Sequence, residues 1–334
     1  MAQNRRRTAA KKPEKLTVKS VVFTVTVAVL LCASLFMLIN DAFLHLDGVP
    51  SVYEVMRVLG IAKQPMVKTQ VSGEATVHFI DVGQGDSELI VTEQYTVLID
   101  CGEESEVTEV IGYIQSLDIT RLDYVIATHP HSDHMGGMYR ILDAFDIGRF
   151  IMPEIDEDYE PNTKAYEKML DVLEKKNINA TYANVGEVIF LGGGASLEIL
   201  APVRNDYDNL NNYSVTAKLV YGNTSFLFTG DIEALAESNI LDSGANVDAD
   251  VIKVPHHGSN TSSSKEFLQA VSPKYAVIEV GVDNSYGHPK TAVLRRYKNI
   301  DCEILSTAES GDIVFVTNGT DLQIVTENGG ENAA

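Results

Sequence analysis

Cysteine is scarce in this chain of 334 residues: there are three, Cys32, Cys101 and Cys302. That excludes a disulfide framework, which needs several pairs at regular spacing. One bridge between Cys101 and Cys302 is conceivable; the alternative is two small buried apolar side chains. No repeat of fixed period runs through the chain, which excludes solenoid and propeller architectures. Basic residues are also in short supply, 26 against 47 acidic, for a formal net charge of −21. Their distribution is uneven. Seven of them (Arg5, Arg6, Arg7, Lys11, Lys12, Lys15, Lys19) lie in the first forty residues against one acid, Glu14. The remainder carries 19 basic and 46 acidic residues, a balance of −27. A body so acidic has no general attraction for a polyanion.

Only one long uncharged run is present, residues 20–39, SVVFTVTVAVLLCASLFMLI. At about 1.5 Å per residue, a helix of that length crosses a hydrocarbon layer of about 30 Å. The cations on its N-terminal side place that side in the cytoplasm and export the body. A cleaved signal peptide is the competing reading, but its apolar core is usually shorter, and no A-x-A cleavage site follows. The organisation expected is a basic cytoplasmic tail over 1–19, a transmembrane anchor over 20–40, a connector over 41–73, a folded body over 74–327 and a polar tail over 328–334. The protein is then a single-pass protein of the cell membrane with its body extracellular.

The composition, 45% hydrophobic and 22% charged, allows a real core. From Ala75 onward, short apolar runs with strand patterning alternate with helical spacing. ATVHFIDV, SELIVT and YTVLIDCG read as strands, VTEVIGYIQSLDI as a helix and LDYVIATH as a buried strand. NTKAYEKMLDVLEKKN is an amphipathic helix capped by Asn162 or Thr163. Hairpins are expected around Gly192–Gly194, at Gly222–Asn223 and at the Asn-Gly pair 318–319. Strands in groups with helices between them pack as two sheets with helices outside.

Histidine is as scarce as these other types, eight in all, yet three fall in THPHSDHMGG, residues 128–137. A surface loop has no use for that density. His129 and His131 alternate on one side of an extended chain. Asp133 and His134 follow after the chain turns, so they can face a second point. Imidazole with carboxylate suits zinc, iron or manganese. The Gly136-Gly137 pair lets the next helix start close by. Further candidates close other strands: Asp231 in FLFTGD, able to bridge two ions, then His256 and His257 in VPHHGS, with His288 in the YGHP loop. His45 and His78 have bland readings, one beside the membrane and one packed within a strand. Lys253, Lys265, Lys274, Lys290, Arg295 and Arg296 fall near these motifs, as a local positive rim or as solvated helix faces.

The series FIDVGQGDS, VLIDCG, THPHSDHMGG, FLFTGD, HHGS and YGHP resembles the metallo-β-lactamase superfamily. More narrowly it resembles the metallo-β-lactamase-like domain of the ComEC family of DNA-uptake competence proteins, over roughly residues 75–326. The resemblance implies an α/β fold, an αββα metallo-β-lactamase sandwich, here preceded by one N-terminal transmembrane helix. It implies two divalent metal ions, zinc or manganese. His129 and His131 would hold the first ion, Asp133 and His134 the second, with Asp231 bridging. Asp100 in VLIDCG would orient ligands by hydrogen bonding. Asp81 and Asp86 bracket a glycine-rich turn that could hold the metal-binding loops, or simply form a turn. Many members carry a further histidine before the GD strand; here that region reads LNNYSVTAKL, whose Asn212 and Ser214 suit substrate contact or strand capping. His257 is then expected near the first ion and His288 near the second. His256 is expected as a catalytic acid or substrate contact, and Asp133 as a catalytic group orienting the attacking water.

Such a centre makes hydroxide available near neutral pH, so hydrolysis is the expected reaction; a redox role on iron is the lesser alternative. The family resemblance implies a phosphodiesterase or nuclease, with DNA as the phosphoester substrate. Two alternatives stand beside it. One is hydrolysis of another exported phosphoester, such as a cell-wall polymer substituent, which the acidic body favours. The other is a non-catalytic partner in DNA uptake. Oligomeric state is not legible.

Overall fold

The computed structural model describes residues 18–39, 55 and 74–333. The tail before residue 18, nearly all of the connector over 41–73, and His45 lie outside the described residues. Two compact units divide the chain, Met1–Gln64 and Pro65–Ala334, with the boundary inside the segment read as connector.

In the first unit, Val18–Ile39 forms one helix of 22 residues. Side chains are described for its residues 22–37 and 39, and most of the large apolar ones are exposed, Phe23 at 71% and Leu31 at 66%. Among the described residues, no helix is long and apolar enough to cross a membrane.

The second unit holds two sheets. Its strands are β1 Ala75–Phe79, β2 Glu88–Val91, β3 Thr96–Ile99, β4 Arg121–Ile126, β5 Asp146–Met152, β6 Ala180–Tyr182, β7 Val188–Phe190 and β8 Ala195–Ala201. The series continues with β9 Thr216–Tyr221, β10 Thr224–Phe228, β11 Val251–Lys253, β12 Tyr275–Ile278 and β13 Glu303–Ser306. Last come β14 Ile313–Thr317, β15 Leu322–Thr326 and β16 Gly330–Ala333. One sheet runs β16-β15-β14-β1-β2-β3-β4-β5-β6 and the other β13-β12-β11-β10-β9-β8-β7.

Side chains alternate between the two faces of each strand, and both faces are buried. Val77, Phe79 and Ile99 meet Leu219, Phe226 and Phe228 between the sheets. On the outer face of the first sheet, Leu98, Val125 and Phe150 pack on the helices Val107–Ser116, Met138–Ala144 and Lys164–Lys176. On the outer face of the second, Leu227, Ile252 and Ile278 pack on Ala234–Asp242, Lys265–Val271 and Thr291–Lys298. The layers are therefore helix, sheet, sheet, helix. Thr163 caps Lys164–Lys176, its side chain accepting from Tyr166 N at 3.3 Å. Two hairpin turns fasten the sheets to each other at the end where β10 begins. Asn223 N donates to Gly319 O at 2.6 Å, and Thr224 Oγ1 meets Thr317 Oγ1 at 2.9 Å.

Cys101 and Cys302 are both buried and unbridged, packed in the two outer layers on opposite faces of the sandwich. His78 is buried between Thr76 Oγ1 at 2.7 Å and the Tyr113 hydroxyl at 2.8 Å, and burial pushes its imidazole down to about 3. The segment read as a polar tail, 328–334, is corrected. Residues Gly330–Ala333 add an edge strand, paired antiparallel to β15 from Thr326↔Gly330 to Gln323↔Ala333. Backbone pairing at an open edge needs no apolar pattern, so composition did not reveal it.

Candidate metal centre

Strands β3, β4 and β5 run parallel, as do β10, β11, β12 and β13. Parallel strands end at a common edge, and that edge is where an α/β sheet presents its loops. β3 delivers Asp100, β4 delivers His129 and His131, β10 delivers Asp231, and β11 delivers His256 and His257. The chain turns sharply at each exit. Asp100, His256 and His257 have φ of 53°, 52° and 52°, and Gly230 has 51°. Non-glycine residues in that left-handed region are uncommon, and the surrounding structure must hold them there.

His129 Nε2 lies 3.0 Å from His131 Nδ1 and 3.9 Å from Asp231 Oδ2. His134 Nε2 lies 3.3 Å from Asp231 Oδ1. His257 Nε2 lies 3.3 Å from Asp133 Oδ2 and 3.6 Å from Asp231 Oδ2. Asp231 is thus shared by the rings of His129, His134 and His257. His134 lies between His129 and His257, its ring 4.2 Å from the first and 5.3 Å from the second, centre to centre, and its ligand atoms group with those of His129 and Asp231.

The donor set fits divalent metal. His134 Nε2, His257 Nε2 and Asp231 Oδ1 are buried without a hydrogen-bond partner. The opposite ring nitrogens are engaged: His134 Nδ1 lies 2.8 Å from Asp100 Oδ2, and His257 Nδ1 lies 2.9 Å from Glu279 O. A histidine held at one nitrogen with the other bare is the state a metal ligand adopts. The charges agree. Burial alone would raise the Asp231 carboxyl, but His257 and His134 more than offset it and hold it well below the ordinary range. Burial lowers the His257 imidazole, but Asp231 and Asp86 push it up to about 10. These carboxylates draw positive charge into the site, and a bound cation supplies it in place of ring protons.

Asp100 also accepts from Thr128 N at 2.8 Å, so one carboxylate fixes both the His134 ring and the start of the histidine loop. Replacing Asp100 by asparagine is expected to weaken metal binding about 10- to 100-fold. Competition with a chromophoric chelator would measure it, and unchanged affinity would remove Asp100 from this role.

The structure differs from two sequence expectations. His257, expected beside His129 and His131, sits with Asp133 and His134. His288, expected beside Asp133 and His134, packs edge-on against His256 at 5.8 Å between ring centres. The reason lies in backbone geometry. Two successive left-handed residues send adjacent histidine side chains apart, which extended-chain periodicity does not foresee. His256 is half-buried at the mouth, Nε2 3.7 Å from Asp231 Oδ2 and Nδ1 3.5 Å from Glu233 Oε1. The glycine pair also packs closely, with the helix Met138–Ala144 starting directly after it. A Cβ on Gly137 would fall 2.3 Å from the Val107 side chain, so its role is close approach to a neighbouring helix.

Sequence reasoning missed the charged layer beneath the site. Asp86 is fully buried and ion-paired with the fully buried Lys253. Its oxygens also lie 3.3 Å from His257 Nδ1 and 3.6 Å from His134 Nδ1. Glu88 and Glu279 are buried beside them. Burial and neighbouring carboxylates raise Glu88 well above the ordinary range and push Glu279 up to about 8. A lysine and two glutamates inside apolar strands, VIKV, SELIV and AVIEV, were the available signal. Of the other cations read as a rim, Lys274 pairs with Asp250 and Arg296 donates to the carbonyls of Ser262 and Ser263. Ser214 contacts His129 Nδ1 at 3.3 Å and accepts from Asp231 N at 3.0 Å, and Asn212 accepts from Glu233 N.

Known proteins resemble this chain in sequence and fold. ComE operon protein 3 of Bacillus subtilis is 29% identical over 264 residues, covering 73% of this chain and 33% of the relative. Competence protein ComA of Neisseria gonorrhoeae is 31% identical over 244 residues, covering 72% and 32%. The chain spans about a third of the length of these relatives. Among solved structures, the E377D mutant of the beta-hydroxylase CmlA aligns over 83% of this chain and 58% of that one, with TM-score 0.50 and 13% identity, a likeness of fold. The sequence pattern of the metallo-beta-lactamase superfamily matches residues 80–281, from just after β1 to just beyond Glu279. With that extent of match laid over two packed sheets and an H-x-H-x-D-H loop closing on Asp231, this chain belongs to the metallo-beta-lactamase superfamily.

Proposed function

We propose that this chain is a membrane-anchored metal-dependent hydrolase acting outside the cytoplasm, and that it cuts a phosphodiester. The observation that carries the reading is the convergence of His129, His131, Asp133, His134, Asp231 and His257 at one sheet edge, with atoms of His134, His257 and Asp231 buried there without hydrogen-bond partners. Two divalent ions held there, zinc or manganese, would supply hydroxide near neutral pH and offset charge on a phosphoryl oxygen. His129 and His131 would hold one, Asp133, His134 and His257 the other, with Asp231 between them.

The chain's own groups do the rest. Asp100 and the Glu279 carbonyl hold His134 and His257 in one tautomer and orientation. Asp133 is partly exposed at the opening and is placed to accept a hydrogen bond from the attacking water. His256, oriented by Glu233 and by Thr261 Oγ1 at 3.2 Å, is placed to give a proton to the leaving oxygen. The apolar run of residues 20–39, with seven cations on its N-terminal side, supports an uncleaved anchor with the body exported.

DNA is the substrate that the resemblance to competence proteins supports. The −27 balance of the body favours a second reading, a smaller exported phosphoester such as a cell-wall polymer substituent. A non-catalytic role in DNA uptake leaves the bare ligand set without a purpose. The test is to load the full chain with manganese or zinc and offer single- and double-stranded DNA, bis(4-nitrophenyl) phosphate and 4-nitrophenyl phosphate. Turnover of a diester that stops on chelation is expected. No turnover of any substrate by metal-loaded protein would overturn the reading.

A further inference from the structure

Residues 281–290 connect β12 to Thr291–Lys298 as a fixed arch beside the mouth of the site. Asn284 ties it from within. Its Nδ2 donates to the carbonyls of Gly281 at 3.0 Å and His288 at 2.8 Å, and its Oδ1 accepts from His288 N at 2.9 Å. Lys290 N donates to Gly258 O at 2.9 Å, which binds the foot of the arch to the histidine turn. Lys290 Nζ donates to the Tyr286 carbonyl at 2.6 Å.

The arch carries two rings, and the outer one, Tyr286, is 62% exposed. Its ring stacks on His288, with centres 5.9 Å apart and planes at 26°. His288 meets His256 edge-on at 5.8 Å, and His256 Nε2 is 3.7 Å from Asp231 Oδ2. Three rings therefore run from the surface to the shared carboxylate, and the outer face of Tyr286 is the open end of the stack.

A flat π-system is the occupant that such an end accepts. Nucleobases stack on exposed aromatic rings with little regard to sequence, because every base has a π-face. A quaternary ammonium group is held by rings that surround it as a cage, whereas the rings here follow one another, Tyr286 on His288 on His256. Bases are free to stack on protein only where they are unpaired.

We propose that Tyr286 is a stacking platform for a nucleobase next to the scissile phosphate, which makes single-stranded nucleic acid the substrate class. The proposal rests on the phosphodiesterase reading above and adds the ligand's chemistry. It is tested on the full metal-loaded chain with Tyr286→Ala and Tyr286→Phe. The substrates are a thymidine oligonucleotide and bis(4-nitrophenyl) phosphate. In Tyr286→Ala, the ratio of kcat/KM for oligonucleotide to that for the small diester is expected to fall about tenfold, mainly through KM. Tyr286→Phe is expected to restore it. Binding is read separately with a 2-aminopurine oligonucleotide, whose fluorescence should be quenched by the wild type and by Tyr286→Phe, and not by Tyr286→Ala. An equal change for both substrates, or equal quenching by all three proteins, would overturn the platform. Absence of turnover of either substrate by the wild type would overturn the phosphodiesterase reading instead, and the quenching would still decide the platform.

Discussion

Replacing Asp231 by asparagine is expected to lower kcat/KM for a phosphodiester by on the order of a thousandfold while leaving the sandwich folded. The size follows from what the residue does. Ion-assisted charge stabilisation is worth several kcal/mol in the transition state, and each 1.36 kcal/mol is about tenfold in rate. Asp231 is the carboxylate in reach of three rings, Oδ1 3.3 Å from His134 and Oδ2 3.9 and 3.6 Å from His129 and His257. An amide keeps the volume and removes the charge that draws a cation between the rings. Folding should survive, because Asp231 N still donates to Ser214 Oγ at 3.0 Å and Gly230 still makes the turn. Steady-state kinetics with circular dichroism on the same samples checks both halves. Full activity in the asparagine variant would show that Asp231 does not belong to the reacting centre.

The second large effect lies beneath the site. Lys253→Met is expected to destabilise the metal-free protein by about 3–5 kcal/mol, the usual cost of leaving a buried charge without its partner. Lys253 and Asp86 are both fully buried and in direct contact. Burial lowers the lysine's affinity for its proton, but Asp86, Glu279, Asp231 and Glu88 more than reverse this and raise it. Removing the ammonium strands Asp86 among raised carboxyls. The double variant Lys253→Met, Asp86→Asn removes both charges and is expected to recover a substantial part of the loss. Urea unfolding of the apo proteins reads the difference as a shift in midpoint at constant slope. An unchanged midpoint in Lys253→Met would mean that the pair does not carry the charged layer. The layer also has a functional side, since Asp86 lies against Nδ1 of both His134 and His257.

Much of this was legible in the sequence because strand ends announce themselves. LDYVIATH and FLFTGD are apolar runs that stop on polar residues, and parallel strands must place such ends at a common edge. The hairpins at Gly222–Asn223 and Asn318–Gly319 follow from turn chemistry. The position of His257 was not legible, since it depends on two consecutive left-handed residues at 256 and 257. Lys253 was read as part of a positive rim or a solvated face, and Glu88 and Glu279 were passed over, because a charged residue is ordinarily exposed; their placement in buried apolar runs marks them as paired groups. Ser214 was read as a substrate contact or strand cap, and its contacts with His129 and Asp231 come from sheet packing across 85 and 17 residues of chain.

Gly85 illustrates how the motif FIDVGQGDS couples to the rest. A Cβ there would fall 2.3 Å from the Asp133 carbonyl oxygen, and Asp86 N donates to that same oxygen at 3.1 Å. The glycine-rich turn thus braces the loop that carries Asp133 and His134.

Metal content tests most directly whether the centre holds two ions. The full chain, saturated with manganese or zinc and dialysed, would be measured by elemental analysis against protein concentration. Two ions per chain are expected. One ion or none at saturation would contradict the account.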